Sequence, residues 1–559
     1  MATVVLQYAG QALGTFLSGP VGGVVGRALG GLAGNFIDQA IFGPGTRRIE
    51  GPRLGDLRVM ASSEGAPIPR LWGRMRISGQ VIWATNFEEV TVSHTEKASS
   101  KGGGSGGGGA KVTEYQYFAN LAVALCEGEV DRLGRVWADG KEIDISGLTV
   151  RLHTGSETQQ PDSLIVAKEG ADNAPAYRGT AYVIFERLAV GSFGNRVPQL
   201  SFEVFRSAGG VEADVKAVNI IPGSTEFGYD TEIVTRDVGQ GETESENAHA
   251  SALRRDWSVS IDSLTAACGN LEAASLVVAW FGNDLRCGTV QVKPGVENSA
   301  KITEPDVWAA AGLTRATAHV VSSLVGAPAF GGTPSDASVV RAIQDLRARG
   351  LNVVFYPFIL MDVPEGNVLA DPYGGAQQAV YPWRGRMTCF PAPGRIASPD
   401  GTAACATQVA AFAGSAQPAH FSGSGTTINY SGPAEWGLRR MVLHYARLCV
   451  QAGGVDAFLI GSELRGLTTL RGAANSFPFV DALLALAAAV KTMLPGAKVS
   501  YAADWSEYSG YQPASGDVYF HLDPLWSSAT VDFIGIDNYM PLTDGRDGHQ
   551  HTDYLGGSQ

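Results

Sequence analysis

The chain has 559 residues, 45% of them apolar and 17% charged, with a formal net charge of −13. That length exceeds one ordinary domain and implies two to four. The acidic balance excludes a protein that coats nucleic acid, which needs a basic surface, but suits a conduit through which DNA slides without sticking.

Residues 1–45 open the chain with no charge before Arg27. Small residues recur at four-residue intervals: Gly10 and Gly14, Gly19 and Gly23, then Gly22, Gly26, Gly30 and Gly34. That spacing lays a smooth stripe along a helix and permits close backbone approach. A secretory signal needs a basic leading region, which is lacking, and Pro20 and the glycines weaken a transmembrane helix. Two readings stand. One is an amphiphilic segment that packs against its copies and enters a membrane on release. The other is a small-residue helix pair in the protein's own interior.

From 46 to 210 the pattern becomes β-rich. Runs at 57–60, 67–71, 75–85, 114–126, 132–143, 182–185 and 200–205 carry Val, Ile, Tyr, Phe and Trp. Asp139-Gly140 marks a hairpin turn. The glycine-rich stretch 101–110 joins two such runs and is expected to be the flexible tip of a long hairpin. It lacks the GK[ST] ending of a phosphate loop. Residues 211–270 form a mixed connector with a helix at 257–268.

From 271 to 559 strands and helices alternate. Strands are expected at 275–281, 316–322, 351–361, 456–461, 498–503 and 531–536, with helices at 335–349, 435–452 and 478–494. Repeated βα units imply a parallel sheet or barrel. In a (β/α)₈ barrel the C-terminal strand ends line the active-site mouth. There lie Asp284, Asp362, Glu463, Asp504 and Asp537. Only six strands are counted, so strands seven and eight are expected beyond Gln559. A long insertion, 363–433, contains Tyr373, Tyr381-Pro382-Trp383-Arg384 and a short helix near 403–413; loops of this length are usually functional. The six cysteines are scattered without metal spacing and read as buried thiols. No cofactor or metal motif is present.

Three stretches carry a resemblance: Leu276 to Gly288 with Trp280-Phe281-Gly282-Asn283-Asp284, Phe458 to Arg465 with Glu463, and Ile534-Gly535-Ile536-Asp537-Asn538-Tyr539. Together with Glu64 to Arg76 and Tyr177 to Arg196, they resemble the large baseplate protein of gene transfer agents, the hub or host-specificity protein of siphophage-like tails with a TIM-barrel-like domain. The resemblance implies a homotrimer at the tail tip of a virion-like particle. It implies contacts with the distal tail, other baseplate proteins, the host envelope glycan and the membrane. DNA would pass its channel without sequence-specific binding. The barrel in turn resembles glycoside hydrolases whose acid/base Glu ends strand four and whose nucleophile ends strand seven. On that likeness Glu463 is the candidate acid/base, Asp504 and Asp537 are candidate catalytic carboxylates, and Asp284, Trp383, Trp505 and Tyr539 are candidate sugar contacts. Ser462 stands where such enzymes commonly have Asn. A structural hub and a glycosidase on that hub both remain open.

Overall fold

The computed structural model describes residues 65–96, 110–207, 209–540 and 548–550. The hydrophobic segment at 1–45 and the glycine-rich tip at 101–109 lie outside the described residues.

Two antiparallel sheets pack face to face in the first part. One orders Gly73–Ser78, Leu200–Arg206, Arg132–Ala138 and Lys141–Ile143. The other orders Gln80–Ala84, Ala110–Glu127, Thr180–Ala189 and Thr149–His153, with Glu88–Glu96 paired along the start of Ala110–Glu127. Side chains alternate across a strand. Ala181, Val183 and Phe185 therefore meet Val123, Val136, Phe202 and Val204 between the sheets. Tyr182 and Ile184 point the other way, onto Ile165 of the helix Ser163–Glu169. At the Asp139-Gly140 turn both residues have positive φ, 48° and 82°, as a tight two-residue hairpin requires.

The second part is a parallel half-barrel. Its strands are β1 Ala217–Ile220, β2 Ala273–Gly282, β3 Asn352–Met361, β4 Ala457–Ser462, β5 Lys498–Asp504 and β6 Gly535–Asp537, each paired with the next. The helices are α1 Asp256–Ala267, α2 Asp336–Ala348, α3 Ala403–Ala413, α4 Leu438–Gln451 and α5 Pro478–Met493. Ser335 starts α2, its Oγ accepting from the Ser338 N–H at 3.1 Å. One face of the sheet packs on the helices through residues such as Leu276, Phe355, Phe458 and Tyr501. The other gathers Val277, Tyr356, Leu459 and Ala502 into the barrel interior.

Two expected strands are corrected: the one at 531–536 forms only over Gly535–Asp537, and the other is not part of the sheet. Residues 316–322 do not join this sheet; within them only His319–Val320 forms a short pairing, with Gly295–Val296. The reason is chemical. His319 and Ser322 turn their polar side chains to Asp362, so this stretch crosses the strand ends rather than running between helices. The first strand is β1 instead, inside the stretch read as connector. Its four residues are too few to show a periodicity. With β1 in place, Glu463 still follows the fourth strand. Among the described residues no helix is long and apolar enough to cross a membrane.

Candidate functional site

Every residue of β4 is buried, and the strand stops where the backbone changes hand. Glu463 has φ of +51°, an uncommon conformation for a residue with a side chain. Its N–H still donates to the Ala502 carbonyl at 2.8 Å. The side chain thus leaves the strand at the barrel mouth, yet Glu463 is only 3% exposed.

What covers it is the excursion after β3. The Trp383 indole N–H donates to Glu463 Oε2 at 2.7 Å, and the Arg384 guanidinium lies 2.9 Å from the same oxygen. Arg384 also donates to the Ser462 carbonyl at 2.9 Å and to Ser462 Oγ at 2.6 Å, and stacks on Phe358, 3.7 Å from its ring centre. Ser462 Oγ donates to Asp537 Oδ2 at 3.0 Å, and the Tyr356 hydroxyl donates to the same oxygen at 2.5 Å. Strands β3, β4 and β6 and the excursion therefore meet in one polar cluster. Glu463 Oε1 is buried in it with no hydrogen-bond partner among the described residues.

Burial raises the Glu463 pKa above its ordinary value; Arg384 and Trp383 oppose the rise, and the nearby Asp537 carboxylate adds to it. Two carboxylates that share a low-dielectric site resist double ionisation. The raised pKa of Glu463 favours its protonated form, the form a general acid uses.

The other predicted residues divide. Tyr539 and Trp383 sit with Glu463 and Asp537, Tyr539 carrying a raised pKa through burial and the Glu463 charge. Trp505 is 40% exposed beside Asp504. Asp504 itself accepts from the Ser506 N–H at 3.0 Å and caps the turn that follows β5. Asp284 accepts from Arg286 at 2.6 Å, Gln378 at 2.7 Å and Thr289 at 2.9 Å, which organises the start of the first excursion. Asp362 binds His319 at 2.6 Å and the Ser322 hydroxyl, tying the two excursions together. Sequence reasoning missed Arg384 and Tyr356 as members of the cluster. The inward position of Tyr356 was available from the alternation of β3; the reach of Arg384 was not.

One further group has metal-like spacing. Ligand oxygens of Glu226, Glu246 and Glu297 lie within 4.8 Å of one another. Lys301 Nζ sits among them, at 3.0, 2.8 and 2.8 Å, and the Arg315 guanidinium pairs with Glu226 at 2.7 Å. The ammonium supplies the positive charge this cluster needs.

Residues 436–559 match the family model of the GTA TIM-barrel-like domain. Among solved structures the chain is similar to a protein in the virion of a native gene transfer agent (GTA) particle, with 44% identity over 36% of this chain and 43% of that one and a TM-score of 0.23. The chain thus covers less than half the length of that relative. It is also similar to a GH113 β-1,4-mannanase, with 14% identity, 49% and 53% coverage and a TM-score of 0.24. A GH113 β-mannanase of Alicyclobacillus acidocaldarius gives 14% identity, 48% and 52% coverage and 0.23. Likeness at that level bears on no activity. No curated protein sequence matches the chain. By the family match, residues 436–559 are a GTA TIM-barrel-like domain.

Proposed function

We propose that the chain is a structural component of the particle's tail, a homotrimeric hub at the tail tip that surrounds the DNA channel. The family match of residues 436–559 carries this reading. The two-sheet sandwich supplies a rigid wall for such a hub, and the net charge of −13 suits passage of DNA without adhesion. Its partners are other copies of itself, the distal tail and further baseplate proteins. The hydrophobic segment 1–45 serves as plug or membrane-entering element during DNA delivery.

The test is production of particles from cells lacking the chain, with reconstruction of particles that contain it. Tails without a tip and loss of DNA transfer are expected, with three copies around the axis in the complemented particle. Tips of normal form without the chain would refute the role. Deleting residues 2–43 should leave assembly intact and stop DNA entry into recipients; normal transfer by that variant removes the membrane role.

A second reading is favoured by one observation, the close Glu463 and Asp537 carboxyl pair at the barrel mouth. In it the barrel cleaves envelope glycan, with Glu463 as the acid, Asp537 as the second carboxylate, and Trp383, Trp505 and Tyr539 as sugar platforms. Asp284 and Asp504 then shape the mouth. Sugar release from purified envelopes that Glu463→Gln abolishes is the expected result; equal release by the variant defeats it. Assembly of that variant separates the two readings, because the hub role does not use the carboxyl.

A further inference from the structure

Between β5 and the short helix Asp523–Trp526 the chain encloses a cavity of about 190 Å³ that no member of the Glu463 cluster lines. It lies on the helix side of the sheet. Ala503 of β5 lines it and belongs to the outer core, whereas its neighbour Ala502 faces the barrel interior. Glu507, His521 and Asp523 form its polar wall, and Tyr508, Phe520 and Trp526 its aromatic wall. No lysine or arginine lines it.

The backbone fixes these polar groups and leaves acceptors unused. Glu507 is buried in the capping turn after β5, where its Oε2 accepts from the Asp504 N–H at 2.8 Å and its Oε1 from the Thr468 hydroxyl. His521 is 3% exposed. Its Nδ1 lies 3.4 Å from the Tyr519 carbonyl, which can only accept, so that nitrogen carries the proton of the neutral ring. Nε2 is then a bare acceptor, buried with no hydrogen-bond partner among the described residues. It stands 3.9 Å from Glu507 Oε1, too far for a hydrogen bond between them. The Asp523 carboxylate has no hydrogen bond or ion pair among the described residues either. Three acceptors and no cation therefore border one small space.

We propose that this cavity binds a primary ammonium group on a short polar skeleton. An ammonium brings three N–H donors and no acceptor, which matches Glu507 Oε1, His521 Nε2 and the Asp523 carboxylate. Its charge meets two carboxylates with no competing cation in the wall, and the faces of Tyr508, Phe520 and Trp526 attract a cation. An anion would meet only acceptors, and a neutral alcohol of the same size lacks the charge that the carboxylates reward. The small volume fits a short amine or the amine-bearing end of a larger molecule. An ethanolamine headgroup and an amino sugar share this chemistry. The site lies across the sheet from Ala502 and the barrel interior, and it depends on neither reading of the barrel given above.

The test is saturation-transfer NMR on the full chain with two amines and their neutral counterparts, ethanolamine with ethylene glycol and glucosamine with glucose. Saturable transfer to one or both amines, and none to the neutral counterparts, is the expected result. Transfer to ethanolamine alone assigns a headgroup-type ligand, and transfer to glucosamine alone an amino sugar. Asp523→Asn and Glu507→Gln should each weaken amine binding about tenfold, the loss of a hydrogen bond to a charged group. Thermal unfolding shows which variants keep their fold; Asp523 is exposed, so its variant decides the matter if Glu507→Gln does not fold. Equal transfer to the amines and their neutral counterparts, no saturable transfer at about 10 mM of either amine, or unchanged affinity in Asp523→Asn overturns the proposal.

Discussion

The Trp383 indole N–H donates to Glu463 Oε2 at 2.7 Å, joining the middle of the long excursion after β3 to the first residue beyond β4. The bond does two things. It partly satisfies a carboxyl that is almost wholly removed from water, and it places an aromatic ring over the barrel mouth.

Trp383→Phe keeps the ring and removes the donor. Losing one partner of a buried acceptor costs about 1–3 kcal/mol. Urea denaturation should show a loss of that order, and the Glu463 pKa should rise further, since Trp383 is one of the groups holding it down. An unchanged midpoint would mean that the ring alone secures the excursion.

Glu463→Gln should change the pH profile in a defined direction. The folded-state pKa of Glu463 is raised, so its contribution to stability is complete below the unfolded value of about 4.5. That contribution is lost as pH rises through the folded value. Glutamine does not ionise, and its amide can donate toward Asp537 from the position of the unpartnered Oε1. The variant should therefore match the parent at low pH and exceed it at neutral pH. Thermal unfolding across pH 3–8 measures the difference.

Glu203 behaves in the opposite sense. Arg74 donates to its Oε1 at 2.7 Å and Arg135 to its Oε2 at 3.1 Å. Burial acts to raise its pKa, but the two arginines and the Arg135 N–H hold it near about 2. Its contribution is present above about 4.5 and is lost as pH falls toward about 2, an effect of about 3 kcal/mol. Glu203→Gln should cost an amount of that order at neutral pH and flatten the acid limb of the stability curve.

Lys301→Ala removes the cation from three carboxylates. Breaking such a buried arrangement costs about 3–5 kcal/mol. The remaining oxygens are spaced for a hard divalent ion. Added calcium should then raise the Tm of the variant and leave the parent unmoved; calorimetry with and without calcium decides it.

Much of the half-barrel was legible because its strands are apolar runs flanked by helices with clear stops. The short β1 was not, since Ala217-Val218-Asn219-Ile220 differs little from a loop. Residues 316–322 looked like a strand because Val320 and Val321 are apolar, and nothing local reveals that His319 and Ser322 are held by a distant aspartate. Glu463 could be located from its place after an apolar run. The side chains that determine its chemistry could not. Trp383 and Arg384 are nearly a full βα unit away in sequence, and Asp537 lies two strands further on. Their meeting is a property of closure, which periodicity does not encode.

Lys301 also affects how the molecule relates to its surroundings. The region around Glu226 carries its counter-ion covalently, so its integrity does not depend on divalent ions in the medium. Chelators that dismantle calcium-held assemblies have nothing to extract from a cluster neutralised by a lysine.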